Sequence, residues 1–143
     1  MAALETPIAI PIAHERDVER ARRRGLALAL AHGFTRADAE CVALTISELA
    51  TNLLRYARDG IIHISAVAGA RGQAVEVESI DHGPGIANVE QAMQDGFSTG
   101  GGLGHGLPAA RRLMDEFHVT SITSGEPRGG PAGTRVVARK WSR

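Results

Sequence analysis

The chain has 143 residues, with 16 basic and 16 acidic side chains, so its formal net charge is zero. This length suits a single domain spanning residues 1–143, and the neutral balance argues against nucleic acid or an anionic membrane as a partner, because both attract excess positive charge. Aromatic residues make up only 3% of the chain, which excludes a binding surface built on base stacking.

Lysine and cysteine usage excludes further kinds of site. Fifteen of the 16 basic residues are arginines and the one lysine is Lys140. Phosphate-binding mechanisms that need a lysine after a glycine-rich loop, or on an early strand, are therefore excluded. Cys41 is the only cysteine, so an intrachain disulfide and a thiolate zinc cluster are excluded as well.

The N-terminal region does not have the pattern of a signal peptide. No basic segment leads into an apolar stretch there, and the longest apolar run, 25–31, is too short to cross a bilayer. We therefore expect a cytoplasmic protein.

The first half of the chain predicts a strand followed by two helices. Ile8, Ile10 and Ile12 alternate with smaller residues, which is typical of a strand, and the neighbouring Pro7 and Pro11 place it at a sheet edge. A helical pattern follows over 15–32, with one apolar face formed by Val18, Ala21, Leu26 and Leu30. Thr35 and Asp38 predict a capping box for a second helix that ends near residue 57, with an apolar stripe of Val42, Ile46, Leu49 and Leu53.

The second half predicts a hairpin, a helix and two closing strands. Strands at 61–67 and 74–80 flank a turn at Gly69–Gly72, and Asn88 is placed to cap a short helix to about residue 94. Pro108 marks the start of another helix, whose apolar side is predicted to include residues as far as Phe117. Strands at 119–124 and 134–141 follow. This order predicts an α+β fold in which helices pack on one face of a mixed, mainly antiparallel sheet.

Glu48 and Asn52 form the first pattern that suggests a chemical function. Their i, i+4 spacing on a predicted helix places carboxylate and amide on one face, a turn apart. Glu48 would then suit a general base, and the Asn52 oxygen would suit a hard cation such as Mg²⁺. The alternative is an ordinary solvated helix face.

A second pattern, Asp81-His82-Gly83-Pro84-Gly85, comes directly after a strand. It offers a carboxylate acceptor beside backbone without Cβ atoms, which a planar ring can approach closely. A simple turn is the alternative, because Asp, Gly and Pro dominate turns for local reasons.

The third pattern is the glycine-rich run 100–106, which leads into the helix at Pro108. Backbone N–H groups in such a loop can bind phosphates. A flexible linker is the alternative.

The order of the three patterns is more specific than any one of them. It resembles the N, G1 and G2 boxes of the GHKL ATPase superfamily, which implies a Bergerat-type ATP-binding fold. Further segments resemble the RsbT group of small bacterial serine/threonine kinases, relatives of the anti-sigma kinases. These segments are 46–52 with Tyr56-Ala57, 95–99, 101–108, 112–117 and 133–141.

The resemblance implies a role for each matching position. Asp81 would accept a hydrogen bond from the adenine amino group, and Thr134 would join that network through water. Asn52 would hold Mg²⁺ on the triphosphate, and Glu48 would activate the attacking hydroxyl. The remaining ATP-binding positions implied are Gly83, Gly85, Ile86, Ser98, Thr99, Gly102, Leu103, Gly104, His105, Gly106 and Leu107.

His105 departs from this family, which usually has an apolar residue at that position. In one interpretation His105 contacts a phosphate. The other interpretation is that it makes no such contact, and it is favoured because a free imidazole is mostly uncharged at neutral pH. The segment 95–107 contains no Arg or Lys. Transition-state charge would then be met by Mg²⁺, backbone dipoles and His105, or by a group that a partner supplies.

The function implied by the resemblance is ATP-Mg-dependent phosphorylation of STAS-domain proteins in a partner-switching stress pathway, followed by activation of a PP2C-type phosphatase. Two alternatives stay open. One is an anti-sigma factor kinase that sequesters a sigma factor, and the other is a non-catalytic module in which nucleotide only shapes a docking surface.

Overall fold

The computed structural model describes residues 2–57, 59–83, 85, 93, 106–122 and 132–142. In chain order these form β1 (Ala2–Ala3), β2 (Ile8–Pro11), α1 (Glu15–Ala31), α2 (Arg36–Tyr56), β3 (Ile61–Gly69), β4 (Gly72–Asp81), α3 (Leu107–Leu113), β5 (Glu116–Ile122) and β6 (Gly133–Trp141). The helix predicted from Asn88 lies outside the described residues.

The strands form one six-stranded sheet in the order β1-β3-β4-β6-β5, and β2 pairs with β3 on the same side as β1. Every strand pair in the described part of the chain is antiparallel. The prediction of an edge strand at Ile8–Pro11 is confirmed, and so is the hairpin, whose turn places Gly72 at φ +111°.

The helices cover one face of the sheet and enclose the core. Buried side chains of β3, β4 and β6 pack there against α1, α2 and α3. The fully buried residues of these three strands are Ile62, Ile64, Val75, Val77 and Ala138. The predicted α+β fold is thus confirmed. No helix in the described ranges is long and apolar enough to span a membrane.

Local sequence determines α2 well. The Thr35 hydroxyl accepts a hydrogen bond from the Asp38 N–H at 3.1 Å, which confirms Thr35 as the N-cap of the predicted capping box. The four residues of the predicted apolar stripe are all buried; they are Val42, Ile46, Leu49 and Leu53. This helix is therefore fixed against the core along its length.

The predicted apolar face of α1 is partly wrong. Leu30 is 39% exposed, whereas Leu28 and Ala29 are buried. The reason is Gly25, which packs so closely on Ile46 of α2 that a Cβ at this position would overlap that side chain. This close approach fixes the rotation of α1 and turns Leu30 outward.

The end of α3 also differs from the prediction, because Phe117 lies in β5 rather than in the helix. The buried Lys140 Nζ donates to the carbonyl of Leu113, the last residue of α3, at 2.9 Å. Asp115 accepts from the Trp141 N–H at 2.8 Å and donates its own N–H to the Arg139 carbonyl. These contacts with β6 end the helix and start the strand.

Candidate active site

A pocket lies between α2, the start of α3 and the ends of β4 and β6. Its empty volume is about 320 Å³, including its opening to solvent. The lining residues are Leu49, Asn52, Leu53, Ser79, Asp81, Leu107, Thr134 and Val136. Four predicted site residues, Asn52, Asp81, Leu107 and Thr134, are therefore brought together from four distant parts of the chain.

Asp81 is the charged group of this pocket. It ends β4 and is 6% exposed, and one carboxylate oxygen accepts from the Gly83 N–H at 2.8 Å. Burial raises the pKa of Asp81, while the backbone N–H groups of Gly83 and Thr134 and the nearby His82 act in the opposite direction. The result is a buried hydrogen-bond acceptor held at a fixed position.

Thr134 lies beside Asp81 because β4 and β6 pair in that register. Its hydroxyl is 3.0 Å from the Ser121 hydroxyl, which in turn donates to the Gly133 carbonyl at 3.2 Å. Either hydroxyl of this pair can be the donor, and the pair holds the Thr134 side chain in place beside Asp81. The Thr134 oxygen can accept from a ligand or a water molecule.

The glycines after Asp81 allow close packing between parts of the protein, whereas the sequence suggested the close approach of a planar ring. A Cβ on Gly83 would lie 3.2 Å from Asp81 Oδ1 and 3.4 Å from Ala57 Cα. Gly85 has φ +80°, and a Cβ there would overlap the carbonyl of Ile122. Both glycines therefore hold the end of β4 against its neighbours, which keeps Asp81 in place.

Glu48 and Asn52 lie one turn apart on α2, as predicted, and both are half-buried. Asn52 lines the pocket, whereas Glu48 lies against Gly106, just before α3. Among the described residues, the Glu48 carboxylate has no hydrogen-bond or ion-pair partner. An unpaired, half-exposed carboxylate next to the pocket is available to accept a proton from a bound group.

The donors for a metal ion are few in the described residues. They contain no group of three or more His, Cys, Asp or Glu side chains that could hold a metal. Asn52 is the one amide side chain that lines the pocket. One amide oxygen fits Mg²⁺ that is held mostly by phosphate oxygens and water, which is its usual arrangement with nucleotides.

Seven of the predicted nucleotide-binding residues lie outside the described residues: Ile86, Ser98, Thr99, Gly102, Leu103, Gly104 and His105. Conversely, sequence analysis did not assign to the site five residues that belong to it: Leu49, Leu53, Ser79, Ser121 and Val136. Ser79 and Val136 lie two residues from Asp81 and Thr134 on their strands, so the alternation of side chains along a strand could have identified both.

Comparisons with known proteins agree with this architecture. Residues 12–140 match the family model described as histidine kinase-like ATPase domain. The chain is 42% identical over 134 residues to the serine/threonine-protein kinase RsbT of Bacillus subtilis, covering 94% of this chain and 96% of the relative. It is 34% identical over 87 residues to the anti-sigma F factor of Anoxybacillus flavithermus, covering 56% of this chain and 58% of that protein.

A solved structure gives the same fold at low sequence identity. The mycobacterial sensor histidine kinase MprB aligns with a TM-score of 0.55 and 16% identity, covering 98% of this chain and 99% of that one. The sheet with helices on one face is therefore shared well beyond recognisable sequence similarity.

Proposed function

The chain belongs to the histidine kinase-like ATPase domain family and, within it, to the RsbT group of serine/threonine kinases, and we propose that it transfers the γ-phosphoryl group of ATP to a serine or threonine of a STAS-domain protein. The 42% identity to RsbT covers nearly the whole of both chains. The observation that carries the proposal is the Glu48 carboxylate, which has no polar partner among the described residues and lies one helical turn before the pocket residue Asn52.

The buried end of the pocket binds the base of the nucleotide. Asp81 accepts a hydrogen bond from the adenine amino group, and Thr134 adds a water-mediated contact. A buried acceptor without a suitable donor costs free energy, so a base with no amino group at this position is rejected. Gly83 and Gly85 support this end by keeping Asp81 against the sheet.

The α2 end carries out the transfer. The hydroxyl of the partner protein attacks the γ-phosphorus, its proton passes to the Glu48 carboxylate, and ADP leaves with the electrons of the broken P–O bond. Asn52 is the residue that would hold Mg²⁺, which when bound neutralises charge on the triphosphate. The fixed backbone of α2 keeps the base and the amide at a constant separation.

The assay that tests this proposal is label transfer from γ-labelled ATP with Mg²⁺ to STAS-domain proteins encoded near this chain's gene. We expect labelled serine or threonine with the wild-type protein and none with Glu48→Gln. Equal labelling by both would overturn the assigned role of Glu48, and the absence of transfer to any STAS protein would overturn the substrate class. Stimulation of a PP2C-type phosphatase by this chain tests the second step of the pathway.

An anti-sigma kinase is the second candidate, favoured by the 34% identity to an anti-sigma F factor. In that case the protein would retain a sigma factor in a pull-down with ATP present and release it once its STAS partner was added. A non-catalytic module is disfavoured because such a protein has no use for a carboxylate beside Asn52 that none of the described residues pairs with.

A further inference from the structure

Gly106 and Glu48 are in contact where α3 begins. Gly106 has φ +82°, and a Cβ at this position would lie 3.4 Å from Glu48 Cδ and would overlap its Oε2 atom. The Glu48 Cβ is farther away, at 3.8 Å. The carboxylate itself therefore occupies the space that a side chain at residue 106 would need.

Gly33 provides a comparison inside the same chain. It also has φ +82°, but no atom lies within 4 Å of the position that its Cβ would take. Both glycines relieve the same backbone strain of the left-handed region. Only Gly106 also makes room for a group of the candidate active site.

The backbone of Glu48 cannot move to accommodate a side chain at residue 106. Ile46 and Leu49, on either side of it in α2, are 0% and 2% exposed and packed in the core. Close-packed interiors resist displacement, so the overlap has to be relieved by rotation of the Glu48 side chain or by a shift of α3. Rotation of the side chain changes where the carboxylate lies relative to Asn52, and a shift of α3 moves Leu107, which lines the pocket, away from both.

We propose that Gly106 is a positioning residue for Glu48: its missing side chain allows the carboxylate to lie against the start of α3, at the place from which it accepts the proton. This rests on the proposed role of Glu48 as the base. It gives Gly106 a function that is separate from any contact with nucleotide, because an alanine would keep the same backbone N–H.

The first test compares Gly106→Ala with Gly33→Ala in the full-length protein. We expect Gly106→Ala to lower kcat for phosphoryl transfer by about 100-fold, as expected for a misplaced catalytic group, with less than about a threefold change in KM for ATP. We expect Gly33→Ala to leave both constants unchanged. Equal kcat values for the two variants would overturn the proposal.

The second test does not depend on activity. Gly106→Ala should lower the midpoint of thermal unfolding more than Gly33→Ala does, because it adds overlap to the shared strain. This excess should disappear in a Glu48→Ala background, where the carboxylate is absent. An excess that persists without the carboxylate, or no excess at all, would overturn the contact. If neither the wild type nor any variant transfers phosphate, the proposed function fails. The unfolding midpoints of the glycine variants, with and without Glu48→Ala, still decide whether Gly106 makes room for the carboxylate.

Discussion

The two ends of the pocket are built in different ways. At the buried end, Asp81 is held by paired strands and by the Gly83 N–H, and Thr134 and Ser121 form a hydroxyl pair beside it. At the other end, Glu48 and Asn52 depend on the regularity of one helix, and the Glu48 carboxylate has no polar partner among the described residues. In the proposed function, the sheet therefore holds the adenine-binding residues in position, whereas the helix presents Glu48 with its carboxylate unpaired among the described residues.

Substitution of Glu48, the proposed base, should distinguish the two ends of the pocket most clearly, because it should affect kcat and not ATP affinity. We expect Glu48→Gln to reduce kcat by about 10²–10⁴-fold, the usual contribution of a general base, with ATP affinity within about twofold of the wild type because the recognition end is intact. Label transfer and calorimetric titration with ATP measure the two quantities.

Glu40→Gln is the matched control for that variant. Glu40 lies two turns earlier on α2 and pairs with Arg36 at 3.0 Å on the protein surface. This variant should retain full activity, since an exposed i, i+4 pair contributes only a few tenths of a kcal/mol to stability. A similar loss in both variants would mean that the effect of Glu48→Gln is not specific to the base.

Removing the charge at the recognition end should give the opposite pattern. Asp81→Asn keeps an oxygen for the Gly83 N–H but can turn its amide N–H₂ toward the base, so we expect ATP to bind about 10–100-fold more weakly, the range for a lost hydrogen bond to a charged group. Saturating ATP should restore much of kcat. Asp59→Asn, at an exposed position, controls for the loss of one negative charge, and equal affinity of Asp81→Asn and wild type would contradict the adenine contact.

Asp81→Asn should weaken ATP binding, but it should favour the folded state relative to the wild type as the pH rises. The pKa of Asp81 is raised by burial, so the folded state binds a proton at this group more readily than the unfolded state does. Its contribution to stability is therefore favourable at low pH and is lost as the pH rises through the raised folded pKa. The free energy of unfolding of Asp81→Asn, measured by denaturation, should increase relative to that of the wild type as the pH rises from 4 to 7. A difference that does not change with pH would contradict this.

What the sequence predicted follows the same division. The α2 end depends on local rules, so the Thr35 cap, the apolar stripe and the spacing of Glu48 and Asn52 could all be read from adjacent residues. The place of Thr134 beside Asp81 was implied only by the family resemblance, because the register that brings them together comes from strands far apart in the chain. The rotation of α1 depends likewise on Gly25 against Ile46, and the end of α3 on Lys140.

Ser121 should show the smallest effect, and it tests whether the hydroxyl pair contributes to recognition at all. Ser121→Ala removes the hydrogen-bond partner of the Thr134 hydroxyl, so the orientation of that hydroxyl beside Asp81 is no longer fixed. We expect ATP affinity to fall about two- to tenfold, in line with one neutral hydrogen bond, with kcat at saturating ATP unchanged. Ser65→Ala on β3, which does not line the pocket, is the control. If Ser121→Ala lowered kcat and left affinity unchanged, the hydroxyl pair would belong to the transfer step, and the division between the two ends would not hold.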